Sequence, residues 1–214
     1  MTATNRFFPK LVRSFRVEFS ESDLFMKSLR VLFFIFCAVL PLGTARATTV
    51  IPPTFDQLVS EAELIFQGAV TNVQSQWTGE GADRVIVTYV TFKIDESIKG
   101  DAGSNYTIRM LGGTVDGHTT EVTDTPKFKI GDRDILFVEH NGSQFVPLVG
   151  IMHGRFHVQR EKQNGREVVV KDDGAPLADM AKLGRDELAA TSGSALSATD
   201  FKSAIRAKLF KKTP

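Results

Sequence analysis

Cysteine is almost missing from this chain. One thiol, Cys37, stands among 214 residues, so no internal disulfide can form. Cys37 sits in an apolar stretch near the N-terminus, which leaves the body of the protein with neither a cysteine nucleophile nor a cysteine metal site. Histidine is scarce as well: His118, His140, His153 and His157 are the four present. Trp77 and Tyr89 are isolated aromatics, too few to imply a platform for stacking bases or sugars. No G-x-S-x-G elbow occurs, so the serine-hydrolase signature is missing. Apolar runs are short of the roughly 20 residues that span a bilayer core. Charge of one sign does not dominate the body. Residues 1–47 carry seven Lys/Arg against three Asp/Glu, and residues 48–214 carry 19 against 22. A near-neutral body gives no electrostatic footprint for nucleic acid.

The basic excess at the start has a ready reading. From Met26 the chain runs MKSLRVLFFIFCAVLPLGTARATT. Lys27 and Arg30 precede the apolar segment Val31 to Leu42, and Ala45-Arg46-Ala47 forms a small-x-small triplet. This order predicts a signal peptide over residues 26–47, cleaved after Ala47 to leave Thr48 first. It implies a periplasmic or secreted protein that meets a membrane only in transit. Residues 1–25 read as an over-extended start ahead of Met26, with an amphipathic extension as the alternative.

Residues 48–173 read as one β domain. Thr54 and Gln57 have the spacing of a capping box, which predicts a short helix from Phe55 to about Glu61 with Leu58 and Ala62 facing inward. LIFQGAVTNVQSQW, VIVTYVTFKIDESI and NYTIRML then read as three strands. Asp116-Gly117, Asn141-Gly142 and Asn164-Gly165 each separate extended runs and predict three hairpins. DILFVEH is expected to pair with QFVPLVG, and RFHVQRE with EVVVKD. Long strands at close spacing argue for an antiparallel barrel or sandwich. Residues 174–196, rich in Ala, Gly and Ser, read as a flexible connector with one helical turn near LADMAKL. Residues 197–214 read as an amphipathic helix capped by Ser197, with Asp200 in its first turn. Phe201, Ile205 and Leu209 form the apolar stripe. Lys202, Arg206, Lys208, Lys211 and Lys212 form a basic face, read as solvated, with contact to an anionic surface as the alternative.

Ala62, Phe66, Gly68 and Val70 are followed by Tyr89, Lys99 and Gly100, and then by Phe128, Gly131, Leu136 and Phe137. Over residues 54–160 this succession resembles the netrin-like barrel typified by the tissue inhibitors of metalloproteinases. Tyr89-Val90-Thr91-Phe92, Gly112-Gly113, Pro126, Phe128 and Gly131 are similar to a group of exported bacterial proteins without assigned activity. The resemblance implies a small antiparallel OB-like (netrin-like) β-barrel of five or six strands with a flanking helix. The family's inhibitors chelate a protease zinc through an N-terminal cysteine. Thr48 stands at the expected start here, so that mechanism does not carry over.

The stretch GIMHGRFHV places His153 and His157 four apart. On a helix such a pair could bind zinc. On an unbroken strand the two would lie about 13 Å apart at ~3.3 Å per residue, too far to share one ion bound at about 2 Å. Gly154 could bend the chain, and His118 or His140 could join, but the preferred reading is polar residues on a strand face. Asp132 and Asp134 flank Arg133 and read as a solvated charged turn rather than a calcium loop. Gly112-Gly113 precedes a hairpin rather than a helix, so it is no phosphate cradle. No catalytic, cofactor-binding or metal-binding residue is therefore assigned. The sequence reads as an exported non-enzymatic module that binds a protein or an extracellular polymer through barrel loops. Two alternatives stay open: a regulator or inhibitor of an exported metalloprotease acting without cysteine, and a metal-dependent enzyme using a loop site. The oligomeric state is open too.

Overall fold

A computed structural model describes residues 51–184 and 193–211. The over-extended start, the signal peptide with Cys37, the cleavage point beside Thr48, residues 185–192 of the connector, and Lys212 lie outside these residues. Among the described residues no helix is long and apolar enough to cross a membrane.

The chain is mainly β. Helix α1 (Phe55–Glu61) leads into β1 (Leu64–Thr78), β2 (Val85–Lys99), β3 (Asn105–Leu111), the short β4 (Gly113–Val115) and β5 (His118–Thr120), then β6 (Arg133–Val138), β7 (Arg155–Arg160) and β8 (Glu167–Lys171). Helix α2 (Ala198–Lys211) ends the described chain. Six strands form one antiparallel sheet in the order β3-β2-β1-β6-β7-β8, and β4 with β5 forms a separate hairpin.

The capping box at Thr54 and Gln57 is made in both directions, and Leu58 and Ala62 are buried. At the other end of α1 the Lys99 ammonium donates to the carbonyls of Val59, at 2.9 Å, and Ala62, placing a cation where helix carbonyls lack partners. Gly68 sits at one of the register shifts between β1 and β2. A Cβ there would stand 2.7 Å from the Lys93 carbonyl, so glycine permits the local coiling.

Asp116-Gly117 turns the β4–β5 hairpin with positive φ at both residues, as a type I′ turn requires. Asn164-Gly165 lies in the β7–β8 turn, which closes between Glu161 and Arg166. The run QFVPLVG departs from expectation. It forms no strand, and only a bridge from Val138 to Leu148 survives. Pro147 has no N–H to donate, and His140 takes a left-handed φ of 47°, so the ladder ends there.

That failure keeps the sheet open, which corrects the expected barrel. No ladder joins β3 to β8. Instead the 141–145 loop leans on the β3 edge: Leu111 N–H donates to Phe145 O at 2.7 Å and Arg109 N–H to Asn141 Oδ1 at 3.0 Å.

Both faces of the central strands are covered. Leu64, Phe66, Leu136 and Val138 face a core with Phe92 and Ile108. The alternate residues Ile65, Ile135 and Phe137 face a second core with Leu58, Phe156, Phe201 and Ile205. Helix α2 packs its stripe into this second core, the Phe201 ring centroid 5.0 Å from that of Phe156. Ser197 caps the helix by accepting from Asp200 N–H at 3.0 Å. Its basic face is less solvated than expected: Lys202 and Arg206 both pair with Glu96, and Lys208 with Asp56. The stretch read as a connector sends Leu177 into the same core, and its LADMAKL segment makes a single 3-10 turn, Met180–Lys182.

Candidate functional site

The β6–β7 register sets Asp134 opposite His157 and Leu136 opposite Arg155. Opposed residues share a face, so Asp134, Arg155 and His157 all stand on the side of Leu136. That side is buried. Asp134 is 0% exposed and Arg155 2%. A buried charge must find partners or unfold the site around it.

Arg155 finds them with each guanidinium nitrogen. Nε and Nη2 donate to Asp134 Oδ2 at 3.2 and 3.0 Å. Nη2 also donates to Asp132 Oδ2 at 2.8 Å. Nη1 donates to the Lys127 carbonyl at 2.9 Å and to Asp172 Oδ1 at 3.4 Å. The guanidinium plane lies 3.9 Å from the Phe128 ring centroid, a cation–π contact, and Phe128 meets Phe92 of the core edge-on. Asp132 in turn accepts from Lys129 N–H at 2.8 Å, and its carbonyl accepts from Val70 N–H. One side chain thus ties together the 127–132 turn, strands β6 and β7, and the turn after β8. The expectation of a solvated charged turn is overturned at Asp134, because β6 is covered on both faces and its carboxylate has no route to water, whereas Asp132, just before β6, keeps its side chain 27% exposed.

His157 lies between two of the same carboxylates. Its Nδ1 is 2.8 Å from Asp134 Oδ1 and its Nε2 3.6 Å from Asp172 Oδ1. Asp134 Oδ1 has no well-directed hydrogen-bond donor, and the imidazole is its near neighbour. Burial pushes the Asp172 carboxyl above its ordinary range, against the pull of Arg155 and His157 and with the help of Asp134.

The four histidines occupy four separate places. His153 lies in the 3-10 turn Ile151–Gly154 rather than on a strand, whereas His157 is on β7 as expected. His118, on β5, packs against Trp77 with ring centroids 5.9 Å apart. His140, in the turn after β6, sits near Glu63 and Glu139. Burial raises the Glu139 carboxyl above its ordinary range, with Glu61 and Glu63 adding to the effect. Among the described residues no group of three or more His, Cys, Asp or Glu side chains is arranged to hold a metal ion. Asp132, Asp134 and Asp172 converge on the guanidinium instead.

Beside this network opens a pocket of about 130 Å³. Pro52, Pro53, Leu177 and Leu183 line it together with Arg155 and Asp172. Gly184 lies against Pro52 and Pro53, where a Cβ would come within 2.8 Å of the Pro52 carbonyl. The wall is in part apolar, and its charged part balances Asp172, Asp173 and Asp179 against Arg155, whose donors are already engaged, Lys171, which pairs with Asp173, and Lys182.

No local motif singles out Arg155. Its signal was the alternation Arg155-Phe156-His157-Val158 facing Asp132 and Asp134, two polar pairs at period 2, but their juxtaposition depends on the β6–β7 register. No family model matches the chain, and no curated protein matches it.

Proposed function

We propose that this chain is an exported, non-enzymatic binding module whose recognition site is the pocket beside Arg155 and Asp172. Its ligand is a small polar group carried by a larger partner, a protein or an extracellular polymer. The observation that carries this reading is the commitment of Arg155. All of its nitrogens hold protein oxygens, so its work is to fix the loops that frame the pocket rather than to contact a reacting group. Loops held on a rigid scaffold are suited to recognition.

Size supports the same reading. Small-molecule sites usually measure about 300–1,000 Å³, and this pocket, near 130 Å³, suits one side chain or one chain-end group. A hydrogen-bond donor on the partner would offset the cost of burying Asp172. The order of charge, apolar run and Ala45-Arg46-Ala47 supports export, and the netrin-like resemblance is compatible with loop-borne recognition.

The test is capture from the secreted fraction of the source cells with the full chain as bait, beside Asp172→Lys. The expected result is a partner retained by the wild type and lost with the variant. If the captured partner is a zinc protease that loses activity on binding, the module is a cysteine-independent regulator. Equal retention by both baits would remove the pocket from the account.

A further inference from the structure

The strand edges of the sheet are treated differently. The β3 edge is covered by Asn141 and Phe145, which accept from Arg109 and Leu111 N–H, while Asn141 Nδ2 donates to Thr107 O at 2.9 Å. The β8 edge is covered by chain on both sides of the undescribed segment: Leu177 N–H donates to Val169 O, and Val169 N–H to Leu196 O. The outer half of β1 is different. Strand β1 pairs with β6 only from Leu64 to Ala69, and Val70 is met by Gly131 and Asp132. From Thr71 to Thr78 the strand pairs with β2 on one side. No backbone hydrogen bond occupies its other side among the described residues.

Eight residues present about 26 Å of open edge at ~3.3 Å each. Natural edges are usually blunted by lysine, proline, inward charge or a covering loop. The stretch TNVQSQWT has no charge and no proline. The β4–β5 hairpin lies over its face, with Gly113 against Ser75 and His118 against Trp77, rather than along its edge. Asn72, Gln74 and Gln76 are exposed.

We infer that this edge pairs with the same edge of a second copy of the chain, antiparallel about a twofold axis. Such an interface is isologous, so the stretch must complement itself. It does. An axis at Gln74 sets Gln74 opposite its own copy, Val73 opposite Ser75, Asn72 opposite Gln76 and Thr71 opposite Trp77, so that opposed residues share a face, and no like charges meet. The exposed apolar residues fit the same operator. Ile130, 69% exposed, adjoins Gly131 at the start of the open edge, and Val85, 38% exposed, pairs with Thr78 at its far end. Antiparallel pairing brings the Ile130 end of one copy to the Val85 end of the other. A six-stranded sheet in each copy would then continue into its partner through β1.

Sedimentation of the full chain over a range of micromolar concentrations tests this. Wild type is expected to move between monomer and dimer. Gln74→Lys and Gln74→Glu each place like charges beside the axis and should weaken the dimer about tenfold or more. An equimolar mixture of the two should recover a heterodimer. Gln74 is exposed, so both variants should melt with the wild type; Asn72→Lys serves as a second variant if either does not. A wild type that stays monomeric throughout overturns the inference. So does a dimer that neither charge weakens, or variants that fail to recover each other on mixing.

Discussion

Arg155 holds Asp134 through two donors aimed at a single oxygen: Nε at 3.2 Å and Nη2 at 3.0 Å both meet Oδ2. Oδ1 is left facing His157. This pair is the centre of an ionic network inside a largely apolar fold, and removing one member should expose its cost. Arg155→Met fills similar space without charge and leaves Asp134 buried and unpaired. Loss of one partner of a buried ion pair typically costs about 3–5 kcal/mol. Urea unfolding at neutral pH should show a lower midpoint with little change in slope. A midpoint equal to the wild type would mean that the network contributes nothing to the fold.

Asp172 should behave in the opposite way. Its carboxyl titrates above the ordinary range because burial outweighs its attraction to Arg155 and His157. A carboxyl whose folded pKa is raised binds protons more readily when folded. It therefore costs stability once ionised, and the cost disappears as pH falls below the unfolded value. Asp172→Asn should match or exceed the wild-type melting temperature at neutral pH, and any gain should vanish in acid. Melting curves across pH check this. A large loss at neutral pH would show that the attraction to Arg155 outweighs burial.

Helix α2 supplies a third expectation. Phe201 and Ile205 are fully buried against the sheet, and Phe-to-Ala changes in cores cost about 3–5 kcal/mol. Phe201→Ala should lower the melting temperature markedly. Lys211→Ala, at an exposed position, should stay within about 0.5 kcal/mol of wild type. If the two variants melt alike, the helix does not dock in solution.

Lys99 offers a fourth. Its ammonium caps carbonyls at the end of α1 from a strand 40 positions away in sequence. Hydrogen bonds to charged groups contribute about 1.5–3 kcal/mol. Lys99→Met should lose an amount in that range and loosen amide protection in Phe55–Glu61. Unchanged exchange across the helix would assign the cap no role.

The elements were legible where local chemistry decides them. Thr54 with Gln57, the Asp116-Gly117 turn, and the stripe of Phe201, Ile205 and Leu209 each carry their own instruction. Closure was not legible, because it rests on long-range pairing. Pro147 was a warning within QFVPLVG, and it is the residue that stops the ladder beside β6. The Arg155 network was hidden for a related reason. Arg155, His157 and Gln159 give β7 a polar side at period 2, which ordinarily means solvent. Here both faces of the strand pair are covered, and only the tertiary fold reveals that the polar side is inside. His153 was misplaced on a strand because Ile151, with φ of 62°, begins a tight turn that no local motif announces.

The pocket beside Arg155 and Asp172 is the proposed binding surface. Amide exchange of the full chain, alone and with the partner captured from the secreted fraction, tests that directly. The predicted result is added protection in the turn after β8, from Asp172 to Leu183, and in the Lys127–Asp132 turn that Arg155 anchors. Protection confined to other segments, with the exchange of these two turns unaltered, would contradict it.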